Sequence, residues 1–445
     1  MIWNVIVKVG VNDTYVPKFS EQQPSILASI DRPGDPSEIR NNVLGEIIKN
    51  HTNKITTSVS WEAWDLLNLA MAVYTADLKT PRNLTEDRWT RNFKLHIPVV
   101  NIPKWDEALP FLVKSLEFLT GDRWEICLRQ REVPENCKFQ ERTNSKVAVV
   151  SLFSGGLDSL VGAIDLLEDR KSIGLVGHHG AGITNSIQQA ILGKLQECYK
   201  NLITPHMFYI QPRKRRKGGG EPSMRSRSML FLSLGILVAN AYGSQIPLVV
   251  AENGLISLNV PLTNSRMGSL STRTTHPHFI SLYQQVVSSL GLLNTIQMPY
   301  KFYTKGEMLV NARNQEILKD TVDLTMSCSH PEVGRFRQGT PRKHCGYCVP
   351  CIIRRAALSS VQLDNDIYNI DILKEYQPFD REVGRDVRAF QMALERGRYL
   401  KHQNAVFDVL SSGPITVEDI KSYADVYSRG MSEVKNFFFK ANYLK

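Results

Sequence analysis

Two groups of residues have the types and spacing for chemistry. The first is Ser154-Gly155-Gly156-Leu157-Asp158-Ser159, which follows the apolar run 147–153 directly. Behind it Leu157, Leu160, Val161, Ile164 and Leu167 recur at helical spacing, so the loop is a strand-to-helix turn. Paired glycines let backbone approach a phosphate, and the free amides of a helix start hold an anion. Ser154 and Ser159 add hydroxyl donors, and Asp158 is placed to hold Mg²⁺ or a water bound to it. The second group is Cys328, Cys345, Cys348 and Cys351, in which the last three stand at two successive two-residue gaps. Four thiolates suffice for a closed tetrahedral Zn²⁺ site, with an iron–sulfur cluster as the rival reading.

Two further segments suit a nucleotide. His178 and His179 end an apolar run, where a base or ribose would lie, and His178 is the candidate cofactor contact. Residues 213–227 carry Arg213, Lys214, Arg215, Arg216, Lys217, Arg225 and Arg227 against Glu221 alone, so one loop holds more than half of the net charge of +10. That concentration favours one mobile basic loop meeting a compact anion and argues against a nucleic-acid-binding face. Arg225 and Arg227 are the candidates for clamping phosphates, since a guanidinium offers a fixed fork of donors. Glu252 and Asn253, beyond a fourth apolar run, are candidates for reading a base edge, and His276 is a candidate base near an acceptor.

The elements that must position these residues form three regions. In residues 1–143, Val5, Val7 and Val9 share a strand face and Phe93, Leu95 and Ile97 alternate. Trp64, Leu67, Met71, Tyr74 and Leu78 recur at helical spacing, which predicts an α+β domain that docks a partner. Residues 144–360 alternate short apolar runs (146–153, 172–178, 206–210 and 246–251) with helical segments. This predicts an α/β fold with a parallel sheet and a ligand crevice at its carboxyl ends. Residues 361–445 lose the strands; Val383, Val387, Phe390 and Leu394 form a helical stripe, and Thr416 with Asp419 resembles a capping pair.

The 445-residue chain is 42% hydrophobic and 22% charged, which excludes disorder as the dominant state and any fibrous class. The apolar stretch 229–250 is divided by Asn240, Gly243 and Pro247, so it reads as a helix, a turn and a strand rather than a membrane crossing. With no basic region ahead of its first apolar run, the chain is expected to be soluble and cytoplasmic. Seven cysteines, an odd number, argue against a disulfide framework. Cys127, Cys137 and Cys198 are scattered, and Cys198 falls on the stripe of Ile187, Ala190, Ile191 and Leu195, which predicts that it is core.

The segment 154–159 resembles the SGGxDS signature of the PP-loop ATP pyrophosphatases, which cleave ATP to AMP and pyrophosphate while adenylating a substrate oxygen. Followed about 170 residues later by Cys345-Gly346-Tyr347-Cys348-Val349-Pro350-Cys351-Ile352-Ile353-Arg354, it resembles the 7-cyano-7-deazaguanine synthases (QueC) over residues 146–360, roughly half the chain. The extensions at both ends, the Arg-x-Arg-Ser segment and Ala251-Glu252-Asn253-Gly254 are similar to the QueC-like proteins of the Qat antiphage defence system.

The resemblance implies an adenine nucleotide alpha hydrolase-like, Rossmann-like core with ATP, Mg²⁺ and Zn²⁺ as cofactors. It also implies an AMP-forming C–N ligase that adenylates 7-carboxy-7-deazaguanine and joins it to a nitrogen nucleophile. In defence-associated relatives that nucleophile would be the N-terminal amine of a partner protein from the same operon. An α-amino group with a pKa of ~8 is far more available uncharged at neutral pH than a lysine at ~10.4. In this reading Ser154, Gly155, Gly156, Leu157 and Ser159 bind phosphates, Asp158 holds Mg²⁺, and Arg225 and Arg227 stabilise departing pyrophosphate. Residues 252–279 differ from the substrate segment of the biosynthetic enzymes, which puts the acceptor in question. An ammonia-using synthase, a PP-loop enzyme of tRNA thiolation and a nucleotide-gated scaffold remain the alternatives.

Overall fold

A computed structural model describes residues 1–18, 23–50, 59–132, 146–180, 182–213, 220–221, 223, 225–263, 273–331, 344–365, 368–374 and 384–440. Lys214 to Lys217, Cys137, Val383 and residues 264–272 of the expected substrate segment lie outside the described residues, as does the expected boundary at 143/144.

The chain opens with β1 (Ile2–Val9), β2 (Ser25–Ile30) and β3 (Ile39–Asn41), then α1 (Val43–Asn50), α2 (Trp61–Lys79), β4 (Asn92–Val99), α3 (Ile102–Thr120) and β5 (Arg123–Gln130). The four strands β2-β1-β4-β5 form a wholly parallel sheet. The expected α+β arrangement is therefore corrected to an α/β one. Its reason is visible at β4-α3-β5: Asn101 caps α3 through Lys104 N at 3.3 Å, and Gly121 ends it at φ +74. The chain can then return as a parallel neighbour of β4.

The central region runs β6 (Val149–Leu152), α4 (Leu157–Glu168), β7 (Ile173–His179), α5 (Thr184–Tyr199), β8 (Ile203–Pro212), α6 (Arg227–Tyr242), β9 (Leu248–Val249), α7 (Gly254–Leu258), α8 (Pro277–Ser289) and β10 (Ile296–Gln297). All four expected apolar runs are strands. The sheet order is β10-β9-β6-β7-β8-β3, parallel except for β3, which the N-terminal segment adds antiparallel to the β8 edge. From β6 the chain moves first to one side, to β7 and β8, and then to the other, to β9 and β10. The switch therefore lies between β6 and β9, where a crevice is expected.

The chain ends with α9 (Lys305–Val310), α10 (Gln315–Thr321), α11 (Val349–Ser360), α12 (Arg385–Arg396), α13 (His402–Leu410) and α14 (Val417–Lys440). As expected, the described residues after 361 contain helices and no strand longer than an isolated bridge. Val387, Phe390 and Leu394 face inward. No helix among the described residues is long and apolar enough to cross a membrane.

Hydrophobic packing does not follow the expected domain boundaries. One continuous core joins β1, α2, β4 and α3 to α6, α8 and one face of the central sheet. A second fills the other face beneath α4 and α5, and a third joins α7 and α11 to α12 and α14. Cys198 is exposed, a further correction. The buried face of α5 runs through Gln188, Ile191, Leu192, Leu195 and Tyr199, and Cys198 falls at its edge, where solvent reaches it.

Candidate functional site

The phosphate-type loop sits at the switch point. Gly155 takes φ +83, a left-handed conformation that favours glycine, and a Cβ there would stand 3.1 Å from Ile187. Gly156 caps α4, whose Gly162 is forced by proximity: a Cβ at 162 would lie 2.4 Å from that of Ala251, beside β9. Within the loop Ser154 Oγ accepts from Gly156 N at 3.2 Å, and Ser159 Oγ donates to Gly156 O at 2.8 Å. The segment leading into the cysteines closes on this loop. Met326 N donates to Gly155 O at 2.9 Å, and Ser327 Oγ accepts from Leu157 N at 3.2 Å.

Cys328, Cys345, Cys348 and Cys351 converge, with all four Sγ within 4.8 Å of one another. Cys328–Cys348 and Cys345–Cys351 are separated by 4.0 and 3.8 Å. A tetrahedron with metal–sulfur bonds of ~2.3 Å has an edge of about 3.8 Å, so the four atoms fit one zinc ion. Backbone amides of His330 and Cys345 donate to Cys328 Sγ at 3.2 and 3.3 Å, the kind of outer support that steadies a thiolate ligand. The cluster could hold a metal such as zinc.

Asp158 lies at the centre of a buried polar group. Lys305, at the start of α9, bonds its Oδ1, and Asn253 donates to Oδ2 through Nδ2 at 2.6 Å and N at 3.2 Å. Burial by itself would raise the Asp158 pKa, but the Lys305 charge and hydrogen bonds from Glu252, Lys305 and Asn253 hold it below the usual carboxylate range. Burial and the neighbouring Asp158 push Glu252 well up. The two carboxyl groups therefore oppose each other's ionisation beside one lysine. Both Asp158 oxygens thus accept hydrogen bonds, Oδ1 from Lys305 and Oδ2 from Asn253. Lys305 carried no signal in the sequence, because nothing near it in the chain marks it as part of the loop.

Arg225 is buried and Arg227 half-buried beside the loop, and both line the same cavity as Ser154, Ser159 and Glu252. Burial, with Arg82 nearby, pushes Arg225 down to about 10, so it stays charged at neutral pH. Their segment is held by the N-terminal region. Asp77 of α2, fully buried, accepts from Ser223 Oγ at 2.8 Å and from Ser226 Oγ at 2.6 Å, while pairing with Arg91 at 2.6 Å. Trp89 stacks near both Arg82 and Arg225, whose guanidinium carbons lie 4.3 and 4.8 Å from its ring centres.

The resulting cavity measures about 910 Å³. Its walls combine the loop and the arginines with Arg82 and Trp89, with Cys328 and its neighbours, and with Phe390, Tyr427 and Met431 of the C-terminal helices.

Three expected site residues are turned elsewhere. His178 accepts from Arg227 Nε at Nδ1 (3.2 Å) and faces Ile210 O with Nε2 (3.3 Å); burial pushes it down to about 3, and it is not on the cavity wall. It therefore braces Arg227 instead of meeting a base. Asn253 caps α7 through Ile256 N at 3.0 Å and tethers Asp158, which uses both ends of its amide. His276 caps α8 and faces Ser412 Oγ at 3.0 Å; burial pushes it down to about 3, away from the role of an acceptor-side base. Buried histidines with both nitrogens engaged remain neutral, and their burial was not readable from sequence.

No family model matches the chain, and no curated protein matches it. What the fold and site define is an α/β protein with parallel sheets and a four-cysteine cluster able to hold zinc.

Proposed function

We propose that the chain is an AMP-forming C–N ligase of the PP-loop ATP pyrophosphatase type, QueC-like in its chemistry. The observation that carries this reading is a glycine loop at a sheet switch point, whose serines line one cavity with Arg225 and Arg227 and whose backbone is hydrogen-bonded to the cysteine segment. The adenine nucleotide alpha hydrolase-like core, with Cys328, Cys345, Cys348 and Cys351 around zinc, belongs to this proposal. Zinc would supply a closed structural tie that fixes Ser327 against the loop.

ATP fits the cavity with its phosphates at Ser154, Ser159, Arg225 and Arg227. A carboxylate oxygen of 7-carboxy-7-deazaguanine attacks the α-phosphorus, and the bond to the β-phosphate bridging oxygen breaks. This gives an acyl adenylate and pyrophosphate, whose growing charge Arg225 and Arg227 face. An uncharged amine, such as a partner protein's N-terminus, then attacks the acyl carbon; AMP leaves with the bonding pair, the nitrogen loses a proton and an amide remains. Magnesium is not routed through Asp158, whose oxygens hold Lys305 and Asn253. Glu252, on the cavity wall with its pKa raised by burial and by Asp158, would donate toward the substrate or Asp158 in its protonated form.

The test is pyrophosphate and AMP release with ATP and 7-carboxy-7-deazaguanine, with intact mass of operon-encoded partners as the second readout. Release that needs the carboxylate and is lost in Arg225→Ala supports the reading. ATP turnover indifferent to the carboxylate, or none, would overturn it.

A further inference from the structure

The N-terminal sheet has a switch of its own. In the order β2-β1-β4-β5 the chain leaves β1 to one side and returns on the other, so the switch lies between β1 and β4. Open parallel sheets bind ligands outside the carboxyl ends of the strands at such a point. A second cavity, of about 150 Å³, lies there. Val9 at the end of β1, Asp31 just past β2 and Arg131 just past β5 line it, and α2 supplies Trp61, Trp64 and Asn68. It shares no lining residue with the large cavity.

The chemistry of the walls is specific. Asn68 is 4% exposed, and the surface it keeps opens on this cavity. A primary amide placed there offers a ligand one acceptor and two donor hydrogens. Two half-buried indoles stand beside it. Arg131 is fixed by Asp65 at 2.6 Å, with its guanidinium carbon 5.2 Å from the Trp61 ring centre. Asp31 is a non-glycine residue at φ +53, an uncommon backbone state, and it places at the mouth a carboxylate that already accepts a hydrogen bond from Asn41.

A free cation would meet Arg131 in this crevice, and an anion would meet Asp31. A neutral planar ligand avoids both, and the volume, about five waters at ~30 Å³ each, suits one small ring system and not a whole nucleotide. We propose that this crevice binds a planar nitrogen heterocycle of the nucleobase type, its rings on the indoles, its N–H edge on Asp31 and its carbonyl or ring nitrogen on Asn68. A guanine-like edge, with two neighbouring N–H donors, matches the acceptor sites that the Asn41 hydrogen bond leaves on the Asp31 carboxylate. The proposal stands independently of the ligase reading.

The test uses the full chain and ligand-observed NMR titration with 9-ethylguanine, 9-ethyladenine, 1-methylcytosine and tetramethylammonium. Asp31→Asn is the main variant, since asparagine tolerates the left-handed backbone and the fold should survive. Asn68→Leu is the second. The expected result is saturable binding strongest for 9-ethylguanine and weakened at least tenfold in both variants. No saturable binding of 9-ethylguanine, binding unchanged in Asp31→Asn and Asn68→Leu, or a stronger response to tetramethylammonium would overturn the proposal.

Discussion

The carboxyl pair beneath the phosphate-type loop makes the sharpest prediction. Burial and Asp158 hold the Glu252 pKa well above its ordinary value, so the folded protein keeps a proton that the unfolded chain has released above about pH 4.3. Between that pH and the folded pKa, the native state binds one proton more than the unfolded one. Stability then falls as pH rises, by about 1.4 kcal/mol per pH unit for one proton. Glu252→Gln mimics the protonated acid and carries no such dependence. Its stability advantage over the wild type should widen by about 1.4 kcal/mol from pH 5 to 6, so long as the folded pKa lies above that interval.

Asp158 adds a slope of opposite sign at lower pH. Its folded pKa is depressed, so the stability it contributes is present above ~3.9 and lost as pH falls through the folded value. The pH 5 to 6 interval avoids it. Urea unfolding followed by far-UV circular dichroism at each pH gives the two curves. Parallel curves for wild type and Glu252→Gln, with a constant offset, would refute the raised Glu252 pKa.

Other outcomes follow from the same geometry. Asp77→Ala strips Ser223, Ser226 and Arg91 of a buried acceptor; it should lower stability by about 3–5 kcal/mol in urea melts, and Asp77→Asn by less. Gly155→Ala must adopt φ +83 and press on Ile187, which should cost about 1–3 kcal/mol and weaken binding of a fluorescent ATP analogue. Cys348→Ser should abolish stoichiometric zinc in elemental analysis of purified protein and lower the thermal midpoint, as should a strong chelator. Arg225→Ala should slow pyrophosphate release by about 10²–10³-fold, with melting little changed relative to Asp77→Ala.

The readable parts of this chain are those whose partners lie close in sequence. The strand, turn and helix around Ser154 to Ser159 are set within some twenty residues by an apolar run, two glycines and a helical stripe. Cys345, Cys348 and Cys351 are brought together by their spacing, with Cys328 joining them across one segment. The parallel central sheet followed from alternating strand and helix patterns, and the helical end from the loss of strands.

Tertiary structure alone decided what surrounds these motifs. Lys305 reaches Asp158 across 147 positions, and Asp77 reaches Ser226 across 149, so no local pattern marks either pair. The N-terminal region, expected to be a docking domain, shares a core with the central sheet and supplies Arg82 and Trp89 to the cavity. His178, His276 and Asn253 were misplaced for one physical reason: a strand end or loop position says that a side chain is near the crevice, but not which way it turns. The direction is set by which buried donors and acceptors must be satisfied, and those groups meet only when distant segments pack.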